Sequence, residues 1–267
     1  MTPISPPPAI KRLGQNFLID PNIVRKIITL AELTTTDAVL EIGPGRGILT
    51  EALCHAAGHV TAIEVDPRLH AFLTERAVHL HNLRLILGDA LTTPLEHLPI
   101  GTIVVANLPY YLSTPLLFRL LAQGTRFARL ILMLQNEVAN RLVAKPGSSD
   151  YGVLSVMAQY AAHISKAFKV SGQCFRPRPE VDSAVVLLRT HDLRGRRPQE
   201  DEQFAALVRA AFAHRRKTLS NSLRDEGYDA RKVEMALTAL HLPPTVRAET
   251  LSLEQFLTFT HHMNGLT

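Results

Sequence analysis

Tryptophan is absent from this 267-residue chain and only two cysteines occur. No apolar run approaches the 18 or more residues that a membrane-spanning helix needs. Cys54 and Cys174 stand far apart with no CxxC, which excludes a disulfide framework and a zinc knuckle and leaves two buried or inert thiols. The 12 histidines include no HExxH, and His79-x-His81 reads as an exposed pair, so no catalytic metal is expected. The proline-rich start at residues 1–8 has no basic stretch followed by an apolar one, so it is not a signal peptide, and a cytoplasmic protein without a membrane partner is the expectation. No internal repeat is present.

What is there is an ordinary globular composition, 46% apolar and 20% charged, able to bury a core against its ordering entropy. The length suits one domain of about 150–200 residues with a smaller companion. A net charge of +5 and a pI near 9.4 favour a polyanionic partner without deciding for one. Local basic clusters at Lys11-Arg12, residues 194–197 and His214-Arg215-Arg216-Lys217 suit phosphates, although a solvated face explains any one of them equally well.

From Asp37 onward, short Val/Ile/Leu-rich runs alternate with helical periodicity, the pattern of a parallel sheet covered by helices. The class is α/β. Strands are predicted at 38–42, 60–64, 83–87, 103–106 and 130–134, then helices over 136–143 and 152–162, and two further strands at 164–170 and 183–189. The segment 193–199 (LRGRRPQ) reads as a linker between domains 1–192 and 193–267. The second of these is predicted as three helices at 201–223, 230–240 and 252–263.

The chemistry-bearing residues fall where predicted strands end. Glu41-Ile-Gly43-Pro-Gly45-Arg-Gly47 lies between the first strand and a helix, where glycines let backbone amides approach a ligand such as a nucleoside. An NAD fingerprint would need a third Gly where Ile48 stands. Glu64, ending the second strand, suits ribose hydroxyls, though a strand-end acid also serves as a solvated terminus or helix cap. Asp89, after the third strand, suits an adenine amino group. Open α/β sheets bind ligands along this carboxyl edge.

The fourth strand ends in Asn107-Leu108-Pro109-Tyr110. A turn accounts for its composition. So does chemistry on an aromatic amine, whose lone pair is delocalised and must be localised to attack. The Asn107 side-chain oxygen and the Leu108 carbonyl can accept its two hydrogens, and Tyr110 offers a face for a base to stack on. Asn is no base at neutral pH, so positioning rather than general-base catalysis is expected.

With these residues in view, the chain resembles the ribosomal RNA adenine N6-dimethyltransferases along nearly its whole length. The resemblance rests on Leu13-Gly-Gln-Asn-Phe-Leu18, EIGPGRG at 41–47, Glu64, Gly88-Asp89-Ala90, NLPY at 107–110 and FRPRPEVDS at 175–183. It implies a class I (Rossmann-like) methyltransferase sheet with a small all-helical C-terminal domain that binds RNA, and S-adenosyl-L-methionine as methyl donor. It further implies cofactor contacts at Asn16, Leu18, Gly43, Gly45, Glu64, Asp89 and Asn107. The target adenine would lie between Tyr110 and Phe175, with Asn107, Leu108 and Pro109 around its amine. From the residues alone, Phe175 serves equally as a core anchor.

The implied reaction in the small-subunit branch places two methyls on each of two adjacent adenosines in a hairpin loop near the 3′ end of 16S rRNA, within an immature small ribosomal subunit. A monomer is the expectation. Residues 212–223 resemble that branch rather than the large-subunit, antibiotic-resistance branch. A non-catalytic ribosome-assembly factor, a dehydrogenase and a DNA adenine methyltransferase are the other readings, opposed respectively by intact motifs, by Ile48 with NLPY, and by nothing in the N6 chemistry itself. The sequence departs from the family's commonest form at Tyr111-Leu112 and at Glu180.

Overall fold

The computed structural model describes residues 5–191 and 198–265. The arginine cluster at 194–197 and most of the expected linker lie outside them. Chain order is β1 (Phe17–Leu18), α1 (Pro21–Ala31), β2 (Ala38–Ile42), α2 (Ile48–Ala56), β3 (His59–Glu64), α3 (Pro67–Arg76), β4 (Leu83–Leu87), β5 (Thr102–Asn107), α4 (Ser113–Leu121), β6 (Phe127–Gln135), α5 (Asn136–Leu142) and α6 (Val153–Ala161). There follow β7 (Ala162–Val170), β8 (Phe175–Arg176), β9 (Ser183–Thr190), α7 (Pro198–Phe212), α8 (Leu219–Asp225), α9 (Ala230–Ala239) and α10 (Leu253–Met263).

Seven strands form one sheet in the order β4-β3-β2-β5-β6-β9-β7. The first five are mutually parallel, and β9 runs antiparallel to both β6 and β7. Strand β5 is central and buried along its length until Asn107, which is why its sequence, TIVVAN, has no polar alternation before that residue. Every strand predicted from the sequence is present, extended by one to three residues where the edges differ. Helices α1 and α3 start the same way: an aspartate, Asp20 or Asp66, accepts from the backbone N–H two residues on, and a proline occupies the first helical position.

Register sets up the site. Ile42 pairs with both Ile63 and Ala106, so the next residues, Gly43, Glu64 and Asn107, emerge at one level of the carboxyl edge. Glu64 pairs with Leu87, which brings Gly88 and Asp89 to that edge as well.

The described residues divide into two compact units. The sheet unit contains the chain through Ala139 and the stretch Ala162–Asp192; the helical unit combines Asn140–Ala161 with the chain beyond 192. The single boundary expected at 192/193 is thus only one of the crossings. The reason is apolar: Tyr151 and Val156 are buried in the same cluster as Phe204, Leu223, Phe256 and Phe259, and the Tyr151 hydroxyl donates to the Leu251 carbonyl at 2.9 Å. A second correction concerns the helix expected over 201–223. It is two helices, α7 and α8, because Thr218 caps a new start by accepting from the Asn221 N–H. No described helix is long and apolar enough to cross a membrane.

Candidate active site

The loop after β2 turns through left-handed backbone at Gly43 and Gly45, with φ of 68° and 58°. A side chain at Gly45 would stand 3.0 Å from the Phe17 ring, so both the backbone angle and the ring favour glycine here. The three glycine N–H groups are spent within the protein: Gly43 donates to the Ile63 carbonyl (3.0 Å), Gly47 to the Pro44 carbonyl (2.9 Å), and Gly45 to Glu64 Oε2 (3.1 Å). The expectation that these amides face a ligand therefore changes. The glycines make room, and Glu64 is the polar group they hold in place.

Glu64 is pinned at both oxygens, since Oε1 accepts from the Asp66 N–H at 2.9 Å. Burial raises its pKa, opposed by the two N–H donors. Asp66 accepts from Arg68 at 2.7 Å and from Gln15 Nε2 at 3.0 Å, and the Arg68 hydrogen bond is the main reason its pKa falls to about 2. Gln15 in turn accepts from the Ile10 N–H at 2.7 Å. Arg46 donates to the Pro7 carbonyl at 3.0 Å and lies 4.5 Å over the Phe17 ring. These contacts lash the N-terminal segment across the sheet edge.

Between that segment and the strand ends lies a cavity lined by Gln15, Asn16, Phe17, Gly43, Gly45, Glu64, Asp89, Asn107, Leu108, Pro109, Tyr110, Tyr111 and their apolar neighbours. Its lining carries the carboxylates of Glu64 and Asp89 and no Lys or Arg. That suits a cationic ligand and is the wrong sign for a pyrophosphate. One oxygen of Asp89 is used internally, accepting from the Leu91 N–H at 2.8 Å. At the far end Asn107 Nδ2 donates to the Asn16 carbonyl at 3.2 Å, which leaves Oδ1 as the amide's free acceptor. Leu108 N–H donates to the Met133 carbonyl (3.0 Å), and Ser113 Oγ to the Pro109 carbonyl (3.1 Å). The Tyr110 hydroxyl and Ser183 Oγ share a hydrogen bond of 2.8 Å, and burial raises the phenol's pKa.

Of the residues singled out from the sequence, Asn16, Gly43, Gly45, Glu64, Asp89, Asn107, Leu108, Pro109 and Tyr110 meet at this cavity. Leu18 and Phe175 do not line it. They pair across the two-stranded ladder of β1 and β8 and are buried in one apolar cluster, Phe175 at 1% exposure. Phe175 is the core anchor, with no open face for a base. The loop after it instead supplies Pro177, Pro179, Glu180 and Val181 to a second opening, shared with Tyr110 and Gln135. Sequence reasoning misses Gln15, Phe17 and Asp66, whose roles depend on contacts across the fold. Glu41 lies outside the cavity lining, fully buried, and burial raises its pKa to about 8.

A doubly wound sheet with an anionic cavity at its carboxyl edge, lined in part by an Asn-Leu-Pro-Tyr turn, defines a class I methyltransferase domain. The chain belongs to the ribosomal RNA adenine dimethylase family, whose model matches residues 9–264. It is 44% identical to the ribosomal RNA small subunit methyltransferase A of Moorella thermoacetica over 92% of this chain and 89% of that protein. It is 43% identical to the protein of that name from Chlamydia trachomatis, covering 97% and 93%. Among solved structures it is similar to a dimethyladenosine transferase from Plasmodium falciparum, with a TM-score of 0.81 and 27% identity over 94% of this chain and 98% of that one. The 23S rRNA methyltransferase ErmE matches with a TM-score of 0.73 and 28% identity, covering 93% and 100%.

Proposed function

We propose that this chain dimethylates N6 of two adjacent adenosines in a hairpin loop near the 3′ end of 16S rRNA, in an immature small ribosomal subunit, acting as a cytoplasmic monomer. The observation that carries the reading is the Asn107 amide, tethered through its nitrogen so that its oxygen is the free acceptor, at the rim of an anionic cavity. The high identity to small subunit methyltransferases over nearly the whole chain supports the small-subunit substrate.

The residues present fit S-adenosylmethionine: Gly43 and Gly45 add no side chain to the cavity they line, and two carboxylates suit a sulfonium. In this reading Glu64 holds the ribose hydroxyls, Asp89 the adenine amine, and Asn16 and the Gly loop the remainder. Bound there, the cofactor supplies an activated methyl group. Asn107 Oδ1 and the Leu108 carbonyl accept the two N6 hydrogens of the target, drawing its lone pair out of the ring. Tyr110, its hydroxyl held by Ser183, fixes the base plane by stacking. No side chain here needs to act as a base, because the N6 proton is lost to solvent once the nitrogen is methylated. An unpaired loop lets the base swing out at low unstacking cost.

The test is transfer of labelled methyl to small subunits lacking the modification, with products resolved as mono- and dimethyladenosine. Dimethyladenosine in 16S rRNA is the expected result. Label in large-subunit RNA alone would replace this reading with the resistance-type activity, and tight RNA binding without label would leave an assembly factor.

A further inference from the structure

Beside the cofactor cavity is the second opening, which shares Gln15, Asn16 and Tyr110 with it and is lined further by Gln135, Arg178, Pro179 and Glu180 among others. Gln135 is the last residue of β6 and pairs in the ladder with Ser183, whose hydroxyl holds the Tyr110 phenol. Leu108 is fixed to the same strand, two residues earlier, by its N–H on the Met133 carbonyl. Gln135 is therefore the ladder neighbour of the residue that holds Tyr110, on the strand that anchors Leu108. Gln135 is half-buried, and among the described residues its side-chain amide has no hydrogen-bond partner. That amide lines the opening beside Tyr110, so its NH2 is open to a ligand that enters there.

The chemistry of the acceptor selects which atom it meets. If Asn107 Oδ1 and the Leu108 carbonyl take the two N6 hydrogens, every remaining polar atom of the adenine ring is an acceptor. A glutamine at the ring edge must then use its NH2, and the nitrogens flanking the amine are N1 and N7. Each methylation replaces one N6–H by N6–CH3, so the second round has one hydrogen left for two acceptors, and the amine's own grip is halved. A contact to the ring is untouched by that change.

Resting on the dimethylation reading, we propose that Gln135 donates from Nε2 to a ring nitrogen of the target adenine and thereby keeps monomethylated adenosine in register for the second methylation.

The experiment uses the full chain and small subunits reconstituted with 16S rRNA carrying adenosine, 1-deazaadenosine or 7-deazaadenosine at the target. Gln135→Ala is expected to lower kcat/KM on adenosine roughly 10- to 100-fold, the range for one acceptor left without its donor. It should also raise the ratio of monomethyl to dimethyl product, while melting temperature and affinity for S-adenosylhomocysteine stay at wild-type values. On one of the two deaza substrates wild type and variant should become equal, which names the nitrogen. Gln135→Met, similar in volume and without a donor, gives the same answers if the alanine variant folds poorly. A penalty that is identical on all three substrates, or none at all, overturns the assignment. Wild type that yields no dimethyladenosine on unmodified RNA overturns the parent reading and this one together.

Discussion

Asn107 and Asn16, 91 residues apart in sequence, are joined by a 3.2 Å hydrogen bond from the side-chain nitrogen of the first to the backbone oxygen of the second. That bond decides which end of the Asn107 amide is left free at the cavity, and it ties the Asn-Leu-Pro-Tyr turn to the N-terminal segment that walls the cavity. Asn107→Ala should lower methyl transfer at least about 100-fold, the usual loss for a dedicated polar group at a reacting centre. S-adenosylhomocysteine binding, measured by calorimetry, should be weakened yet detectable. Asn107→Asp should not restore activity, because a carboxylate cannot donate to the Asn16 carbonyl.

The Tyr110 ring and its hydroxyl have separable roles. Tyr110→Phe keeps the stacking face and loses only the Ser183 bond, so kcat/KM should fall less than about 10-fold, a loss consistent with one neutral hydrogen bond. Tyr110→Ala should cost about 1–3 kcal/mol, as removal of one base–aromatic stack does. Ser183→Ala combined with Tyr110→Phe should be no worse than either alone.

Much of this arrangement is legible in the sequence, and the part that is not has a physical reason. Runs such as VVAN and AIEV carry both their strand and the polar residue that its end brings to the cavity, because a doubly covered parallel strand must be apolar until it leaves the sheet. Gln15 with Asp66, and Tyr110 with Ser183, join positions 51 and 73 residues apart, and no local pattern reports such pairings. Phe175 shows the limit most clearly: its motif resemblance implies a substrate contact, yet its pairing with Leu18 buries it. The break between α7 and α8 is equally hidden, since 213–218 contains no Gly or Pro and only the Thr218 cap marks the restart.

Glu41 gives a pH-dependent prediction. Its carboxyl is buried, Oε2 lacks a partner, and desolvation lifts its pKa from 4.5 to about 8. The folded state therefore keeps a proton that the unfolded state releases above pH 4.5, so this group destabilises the protein progressively as pH rises from about 4.5 to 8. Glu41→Gln removes the titration. Calorimetric melting should show the variant more stable than wild type at pH 8, by about 2–4 °C for each kcal/mol recovered at this size, with the difference gone near pH 4.

The basic cluster after α7 is not uniform. His214 lies 3.3 Å from Glu226, and Lys217 is paired with Asp225. Arg215 and Arg216 are exposed, and Arg215 donates to the Ser149 carbonyl at 3.4 Å. Replacing both arginines by alanine should weaken RNA binding and make the slope of log K against log salt shallower by about one to two, roughly one unit for each phosphate no longer neutralised. Lys217→Ala should leave that slope nearly unchanged. Filter binding across a salt series measures both.

The helical unit is assembled from two stretches of chain separated by the last strands of the sheet, and this fixes an order of events during translation. Tyr151 and Val156 leave the ribosome early, whereas the phenylalanines that cover them, Phe204, Phe256 and Phe259, follow some 50 to 110 residues later. At about 5–20 residues per second, the nascent protein carries an uncovered apolar helix for several seconds while its sheet is already complete. A truncation anywhere between 192 and 256 makes that interval permanent, so such fragments should be held by chaperones or degraded rather than persist as a free catalytic domain.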